Sequence, residues 1–527
     1  MGEFFVHNQA LRMRRTNAVA GGPKYPRFQS RTLRPRFPFR MLIRRFVALA
    51  LCVALLPAHA QVLPDLGDAS DAVLSDKQEK TIGNRVMREV RIDPAFVDDP
   101  EISDYVKSLG NRLLGAADPP RRPIEFFVVQ DDAINAFALI GGHIGIHTGL
   151  ILLTRDEAEL AGVMAHEIAH ILQRHQSRLY QGQGKYQLAS LAALALAIIA
   201  SRGSSSQSSA VTEAAITGAS AIMMQGQLDY TREHEREADR IGLTILERAG
   251  YDPRGMVSFF ERMLRANRLN EFKGAPSYLR THPLTVERIA DMQGRVERMA
   301  PRLVPDSFEY RLARAKLRAL SGSAPAQITY FRSQIAERTV VRPREEVYGL
   351  AIALKRAREF AEAEKELNTI RTGENAHPAF EWLAAQLQAE QGRRDAAVET
   401  YRAALKSYPG YRGLVYGLAE LLVDSGRTRE ALALLDEKVR DDPEDAKLYE
   451  LQSRAYAATG NRLGQHRAQA EAYFRRGNLA AAVDQLELAT KVRGSDYYEL
   501  SMTEARLREL RSQLRLEREA EKALKLG

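Results

Sequence analysis

Two histidines four positions apart flank a glutamate in AHEIAHILQRH, which begins at position 165. On an α-helix such residues lie about 40° from each other, so His166 and His170 project from one face, one turn apart. That arrangement lets two imidazoles share a tetrahedral zinc ion. Glu167 falls about 100° round the helix, badly placed to bind the same ion but able to reach a water beside it. The chemistry of such a set is hydrolysis. The motif alone does not establish it, because a buried helix with two satisfied histidines is the plain alternative.

The surrounding residues argue for a helix built to hold something. Thr154-Arg155-Asp156-Glu157 reads as a capping box, with threonine as N-cap and glutamate three residues on. Leu160, Val163, Met164, Ile168, Ile171 and Leu172 recur at helical spacing, which predicts a helix of about 25 residues. Its apolar residues imply burial, a costly place for two imidazoles and a carboxylate unless something neutralises them. A third ligand must come from another element. The segment YTREHEREADRIGLTILERAG (230–250) is strongly helical and rich in acid, and Glu235 and Asp239 share one of its faces. Glu235 can ligate while Asp239 holds the imidazole of a ligating histidine. Glu233, Glu237 and His234 are rivals by type. His175, nine positions after His166, is expected about 180° round the helix and turned away from the metal. His143 and His147 share one face of a strand, where a second metal is the disfavoured reading, and His377 and His466 are expected at the surface.

Composition excludes some partners. The chain of 527 residues carries a formal charge of +9, with 45% hydrophobic and 27% charged residues. Of 76 basic and 67 acidic residues, eleven and one fall within 1–60, which leaves 65 against 66 for the remainder. A nucleic-acid partner therefore has no support in the body of the protein. Within the basic stretch, MLIRRFVALALCVALLPAHA (41–60) has a positive start, a short apolar run and an Ala-His-Ala end, the pattern of a secretory signal peptide. Residues 1–40 then read as an over-translated or disordered extension. The single cysteine, Cys52, lies inside the signal segment, so disulfides contribute nothing to the mature chain. The expected location is the bacterial periplasm.

From about 310 the chain reads as helices alone. Gly392, Gly426 and Gly460 recur every 34 residues, as do Ala363, Ala397 and Ala431, and Pro409 and Pro443. Glycine permits a left-handed helix end, alanine lets the second helix of each unit approach closely, and proline stops it. This grammar resembles the tetratricopeptide repeat, a solenoid whose concave face usually binds protein. Arg358 stands where a further glycine would be expected, and Gly477 begins a less regular unit. Between the two ligand segments, YQLASLAALALAIIA (186–200) and SRGSSSQSSA (201–210) read as a hairpin shielding the cleft, with peripheral membrane contact as the lesser reading.

Four blocks carry a wider resemblance: NAFALIGGHIGIHTGLI (135–151), AHEIAH, YTREHEREAD and THPLTVERI (281–289). Together they resemble the zinc metallopeptidases of the HtpX and BepA type. The resemblance implies a mainly α chain: an α+β zincin-type protease domain with a small sheet at 61–310, a repeat solenoid at 311–495 and a charged closing helix at 496–527. It implies one Zn2+ per chain held by His166, His170 and Glu235, with Glu167 as catalytic base and Asp239 behind a ligand. The backbone of Asn135 and Ala136 would pair with an extended substrate. His282 would either assist the developing oxyanion or occupy the open metal position as a latch, the latter being favoured, and Arg288 would anchor its loop. The function implied is periplasmic endopeptidase, and possible chaperone, for outer-membrane β-barrel proteins, with unfolded or stalled clients at the site and assembly machinery on the repeats. The alternative is a non-proteolytic repeat adaptor with a latent metal site.

Overall fold

The computed structural model describes residues 74–117, 123–181, 221–268, 277–337, 343–371, 376–494 and 496–526. The signal segment, the extension before it and the hairpin expected at 186–210 lie outside these residues.

Helix α1 (Asp76–Ile92) starts at a Ser75–Gln78 capping box. Helix α2 (Pro100–Ala116) starts at Asp99, with proline at a first-turn position where its missing N–H leaves no bond unmade. Three strands follow: β1 (Glu125–Val129), β2 (Ala136–Leu139) and β3 (His143–His147). Strand β3 lies in the centre, parallel to β1 and antiparallel to β2. Side-chain alternation assigns the faces. Phe126, Val128, Ile144 and Ile146 enter the large core, while Phe127, Val129, Phe137 and Leu139 pack with Val86, Met87 and Val90 of α1. Between β2 and β3, Gly141 takes a φ of 91°, and a side chain there would strike the backbone of Glu79 and Gly83.

Six helices then build the site: α3 (Thr148–Leu153), α4 (Glu157–Leu172), α5 (His175–Gln181), α6 (Ala221–Arg248), α7 (Arg254–Arg268) and the short α8 (Ser277–Thr281), with α9 (Val286–Val296) behind them. Leu160, Met164 and Ile168 of α4 meet Leu243 and Leu246 of α6 and Met256, Phe259 and Phe260 of α7 in one core. At Gly242 an added Cβ would sit 3.1 Å from the backbone nitrogen of His166, so α4 and α6 touch backbone to backbone at the level of that histidine.

The remainder is helical hairpins: Arg344–Arg356 with Phe360–Asn368, Pro378–Glu390 with Arg394–Ser407, Arg412–Asp424 with Thr428–Asp441, and Ala446–Ala458 with Arg462–Arg475. The expected anchors behave as the period requires. Gly392, Gly426 and Gly460 have φ of 81°, 72° and 72°, and Ala363, Ala397 and Ala431 are fully buried. Arg358 adopts the same left-handed backbone at φ 63°, at a cost of roughly 1 kcal/mol that a glycine would avoid. The chain is thus mainly α with one small sheet, as expected.

The sheet-bearing and repeat regions share an element. Helix Phe308–Leu320 gives Tyr310, Ala313 and Leu317 to the large core, and Leu312, Ala315 and Ala319 to the first repeat core. On the same helix Lys316 reaches Asp99 at 2.8 Å and Glu101 at 3.0 Å, and Tyr348 donates to Glu101 at 2.7 Å. The last helix, Tyr497–Leu526, returns to α1, where Arg88 pairs with Glu517 and Glu521 and Leu524 packs near Leu74, Ile82 and Ile140.

Two repeat histidines are less exposed than expected. His466 is half-buried and bonded to Gln485. His377 is the N-cap of Pro378–Glu390, its Nδ1 accepting from the Ala379 N–H at 3.2 Å, with its ring against Phe308 and Phe380. Burial pushes its pKa down to about 4 from 6.5. The unfolded chain therefore takes the proton first, so this stabilisation is whole above the ordinary value and declines as pH falls toward the folded one. His377→Asn keeps an N-cap acceptor without the titration. Moving from pH 7 to pH 5 should destabilise the wild-type repeats more than the variant, by at most about 2 kcal/mol. Equal acid sensitivity in thermal melts would remove His377 as the cause.

Candidate metal centre

Helix α4 begins two residues later than the sequence suggested. Its N-cap is Asp156, whose carboxylate accepts from the Glu159 N–H, while Thr154 ends α3 and donates its hydroxyl to the Ile151 carbonyl. The aspartate prevails because the Thr154 hydroxyl is already spent on that carbonyl and on Tyr310, 2.9 Å away. The helix also stops early. Instead of continuing, the chain turns at Arg174, φ 52°, and restarts as α5 at His175. Arg174 is held in this unfavourable backbone by the Glu79 carboxylate at 2.8 Å and the Leu74 carbonyl at 2.7 Å. No glycine or proline marks the break, so periodicity alone could not find it.

The ligand candidates converge from two helices and a loop. His170 Nε2 lies 3.0 Å from His166 Nε2, and Glu235 places Oε2 3.4 Å from His166 Nε2 and Oε1 3.5 Å from His170 Nε2. His282 follows α8 and brings Nδ1 within 3.0 Å of Glu235 Oε1 and 3.4 Å of His166 Nε2. One atom from each of these four residues falls within 4.8 Å of all the others. Tetrahedral ligands at zinc bond lengths of about 2.05 Å stand roughly 3.3 Å apart, so the set fits that ion. Among the described residues this is the one such group. His143 bonds Glu125 at 2.9 Å, and neither it nor His147 belongs to the group that converges on one centre.

Charge is balanced around the cluster. His166 is fully buried, which opposes its protonation, yet Asp239 and Glu235 raise its pKa to about 9. Burial drives His170 well below its usual value. Glu235 and Asp239 are held below theirs despite burial, the first by His282 and His170, the second by His166 and Arg288. Arg288 grips Asp239 with two bonds of 2.8 and 2.7 Å, reaches Glu235 at 2.8 Å, and donates to the Pro283 carbonyl at 2.8 Å. One guanidinium thus ties the acidic helix to the loop carrying His282. Glu167 is buried with no hydrogen bond to either oxygen, and its Oε1 is 3.4 Å from His282 Nε2. Tyr278 stacks on His282 with ring centres 4.6 Å apart.

Of the remaining candidates, Ala136 opens β2 and Asn135 precedes it, both buried. The Asn135 carbonyl accepts from the His147 N–H at 3.0 Å. Strand β2 is a sheet edge, since it pairs with β3 on one side only among the described strands. Glu237, a rival for ligation, points instead to His175 and Arg178. The expectation that His175 faces away from the centre is overturned: its Nδ1 lies 2.9 Å from His170 Nδ1. The turn at Arg174 is the reason, because the rotation counted along one continuous helix does not apply beyond it. Burial brings the His175 pKa down to about 4, which leaves the ring neutral at ordinary pH.

A His-Glu-x-x-His helix beside a small sheet, with an acidic ligand from a second helix, defines a metallopeptidase. The Peptidase family M48 model matches residues 100–296, and tetratricopeptide repeat models match 348–412 and 388–455. The chain is 32% identical over 466 residues to the beta-barrel assembly-enhancing protease of Escherichia coli (strain K12), covering 86% of this chain and 93% of that protein. Against the beta-barrel assembly-enhancing protease of Yersinia pestis the identity is 30% over 458 residues, covering 87% and 93%. The mitochondrial metalloendopeptidase OMA1 of Saccharomyces cerevisiae is 27% identical over 305 residues, covering 51% of this chain and 81% of that one. The chain belongs to peptidase family M48, alongside the beta-barrel assembly-enhancing proteases, and is a metalloendopeptidase.

Replacing Arg288 by alanine leaves two buried carboxylates without their shared cation. The expected loss of stability is about 3–5 kcal/mol in urea unfolding, and a loss below about 1 kcal/mol would show that the pair adds little.

Proposed function

We propose that this chain is a zinc-dependent endopeptidase of the periplasm that acts on outer-membrane β-barrel proteins, with the repeats docking it to client or assembly machinery. The observation that carries the reading is Glu167: a buried carboxylate without a hydrogen bond, set beside four ligand atoms at tetrahedral spacing. His166, His170 and Glu235 would hold the ion, which supplies Lewis acidity toward a carbonyl and toward water. Glu167 receives the water's proton at a carboxylate oxygen and returns it to the leaving amine. Asp239 orients His166 from behind, at 3.1 Å from Nδ1. Asn135, whose carbonyl is turned inward to His147, leads into the edge strand, where Ala136 would offer backbone to an extended client. The assignment to β-barrel clients rests on the names of the relatives, and that to the periplasm on the segment 41–60.

His282 is read as a latch. It stands among the ligand atoms and faces Glu167, so in this state it blocks both the fourth position and the base. Arg288 holds its loop through the Pro283 carbonyl. No described helix is long and apolar enough to cross a membrane.

Glu167→Gln should abolish cleavage of an unfolded β-barrel protein while zinc content stays at wild-type level. Persistent cleavage would return the chain to the adaptor reading, in which the repeats act without proteolysis. His282→Ala should keep its zinc and cleave faster than wild type, whereas a slower enzyme with full zinc would make His282 a participant in the reaction. Glu235→Gln should lose the metal.

A further inference from the structure

The two ligating imidazoles are supported differently. His166 turns Nδ1 to the Asp239 carboxylate at 3.1 Å. His170 turns Nδ1 to another imidazole, His175 Nδ1, at 2.9 Å. Two ring nitrogens at that distance form a hydrogen bond only if one donates and the other accepts. For His170 to present the lone pair of Nε2 to a metal, its proton must sit on Nδ1, so His175 Nδ1 is the acceptor. The proton of His175 is then on Nε2, which lies 3.1 Å from Glu237 Oε2. That carboxylate oxygen also accepts from Arg178 Nη1 at 3.0 Å. The direction of the chain is fixed, because an ionised Glu237 has nothing to donate.

We propose that His175 is a positioning residue of the metal centre: it accepts from His170 Nδ1 and donates to Glu237, setting the tautomer and ring orientation of His170. The inference rests on the metallopeptidase reading of the same site. The ring is built into place. It is 1% exposed, it stacks on His234 with centres 4.2 Å apart and an angle of 10°, and it starts α5 immediately after the left-handed Arg174. Glu79 fixes Arg174 through Nε at 3.1 Å and Nη2 at 2.8 Å, so α1 contributes to the orientation of a ligand it never touches. An imidazole in place of a carboxylate has a chemical consequence. The negative charge stands one ring further from His170 than Asp239 stands from His166, so the two supports differ in charge as well as in reach.

The test uses the full chain and reads zinc affinity by chelator competition, with melting of the metal-free protein alongside. His175→Phe keeps a flat ring against His234 but neither accepts nor donates. It should bind zinc about 10- to 100-fold more weakly, with metal-free melting unchanged. His175→Gln offers one amide acceptor and one amide donor and should recover most of that affinity. Wild-type affinity in His175→Phe, or no recovery in His175→Gln, overturns the proposal. If His175→Phe does not fold, Glu237→Ala replaces it: weaker zinc binding supports the relay and unchanged binding overturns it. A wild-type chain that holds no zinc overturns the metallopeptidase reading as well. A zinc-binding wild type with unaffected variants overturns this inference alone.

Discussion

The buried guanidinium of Arg288 makes the centre of this molecule tenable. A core of Leu, Met, Phe and Ile would expel Glu235 and Asp239 as anions, and neutralised acids could neither ligate nor orient. Arg288 sits between them, 2% exposed, hydrogen-bonded twice to Asp239 and ion-paired with Glu235 at 2.8 Å. Its third direction, to the Pro283 carbonyl, places the His282 loop by the same contact. Ligand charge, imidazole support and access to the site therefore depend on one side chain. Such an arrangement is expensive to desolvate and costly to interrupt, which is the usual character of a buried ionic network.

Much of this was legible beforehand, for identifiable reasons. His166, His170 and Glu167 follow from helical rotation over a single turn, where small errors do not accumulate. Glu235 and Asp239 share a face for the same reason, and the repeat anchors are fixed by a period that recurs three times. Helical rotation misplaces His175, because the backbone reversal at Arg174 falls within the nine residues that separate it from His166. Nothing local announces the reversal. Its cause is Glu79, nearly a hundred positions away in sequence, and long-range ion pairs have no periodic signature. The N-cap is hidden from the sequence for a similar reason, since Tyr310 engages Thr154 from a distant helix.

The site is layered from elements of unequal rigidity. Helices α4 and α6 touch through Gly242, which fixes the spacing of His166 and Glu235 to within the tolerance of a backbone contact. The His282 loop is held by polar contacts and by one aromatic stack on Tyr278. His166 and Glu235 thus sit on helices in backbone contact, while His282 sits on a loop fixed through side chains.

The final helix fastens through Glu517 and Glu521 to Arg88, and through Leu524 to the apolar side of α1. Helix α1 in turn supplies Glu79 to the turn that follows the histidine helix. Fraying at the carboxyl end would thus loosen the anchorage of Arg174, and a tug on the solenoid would be felt at the zincin core. The last described helix is thereby tucked into the scaffold that positions the histidine helix.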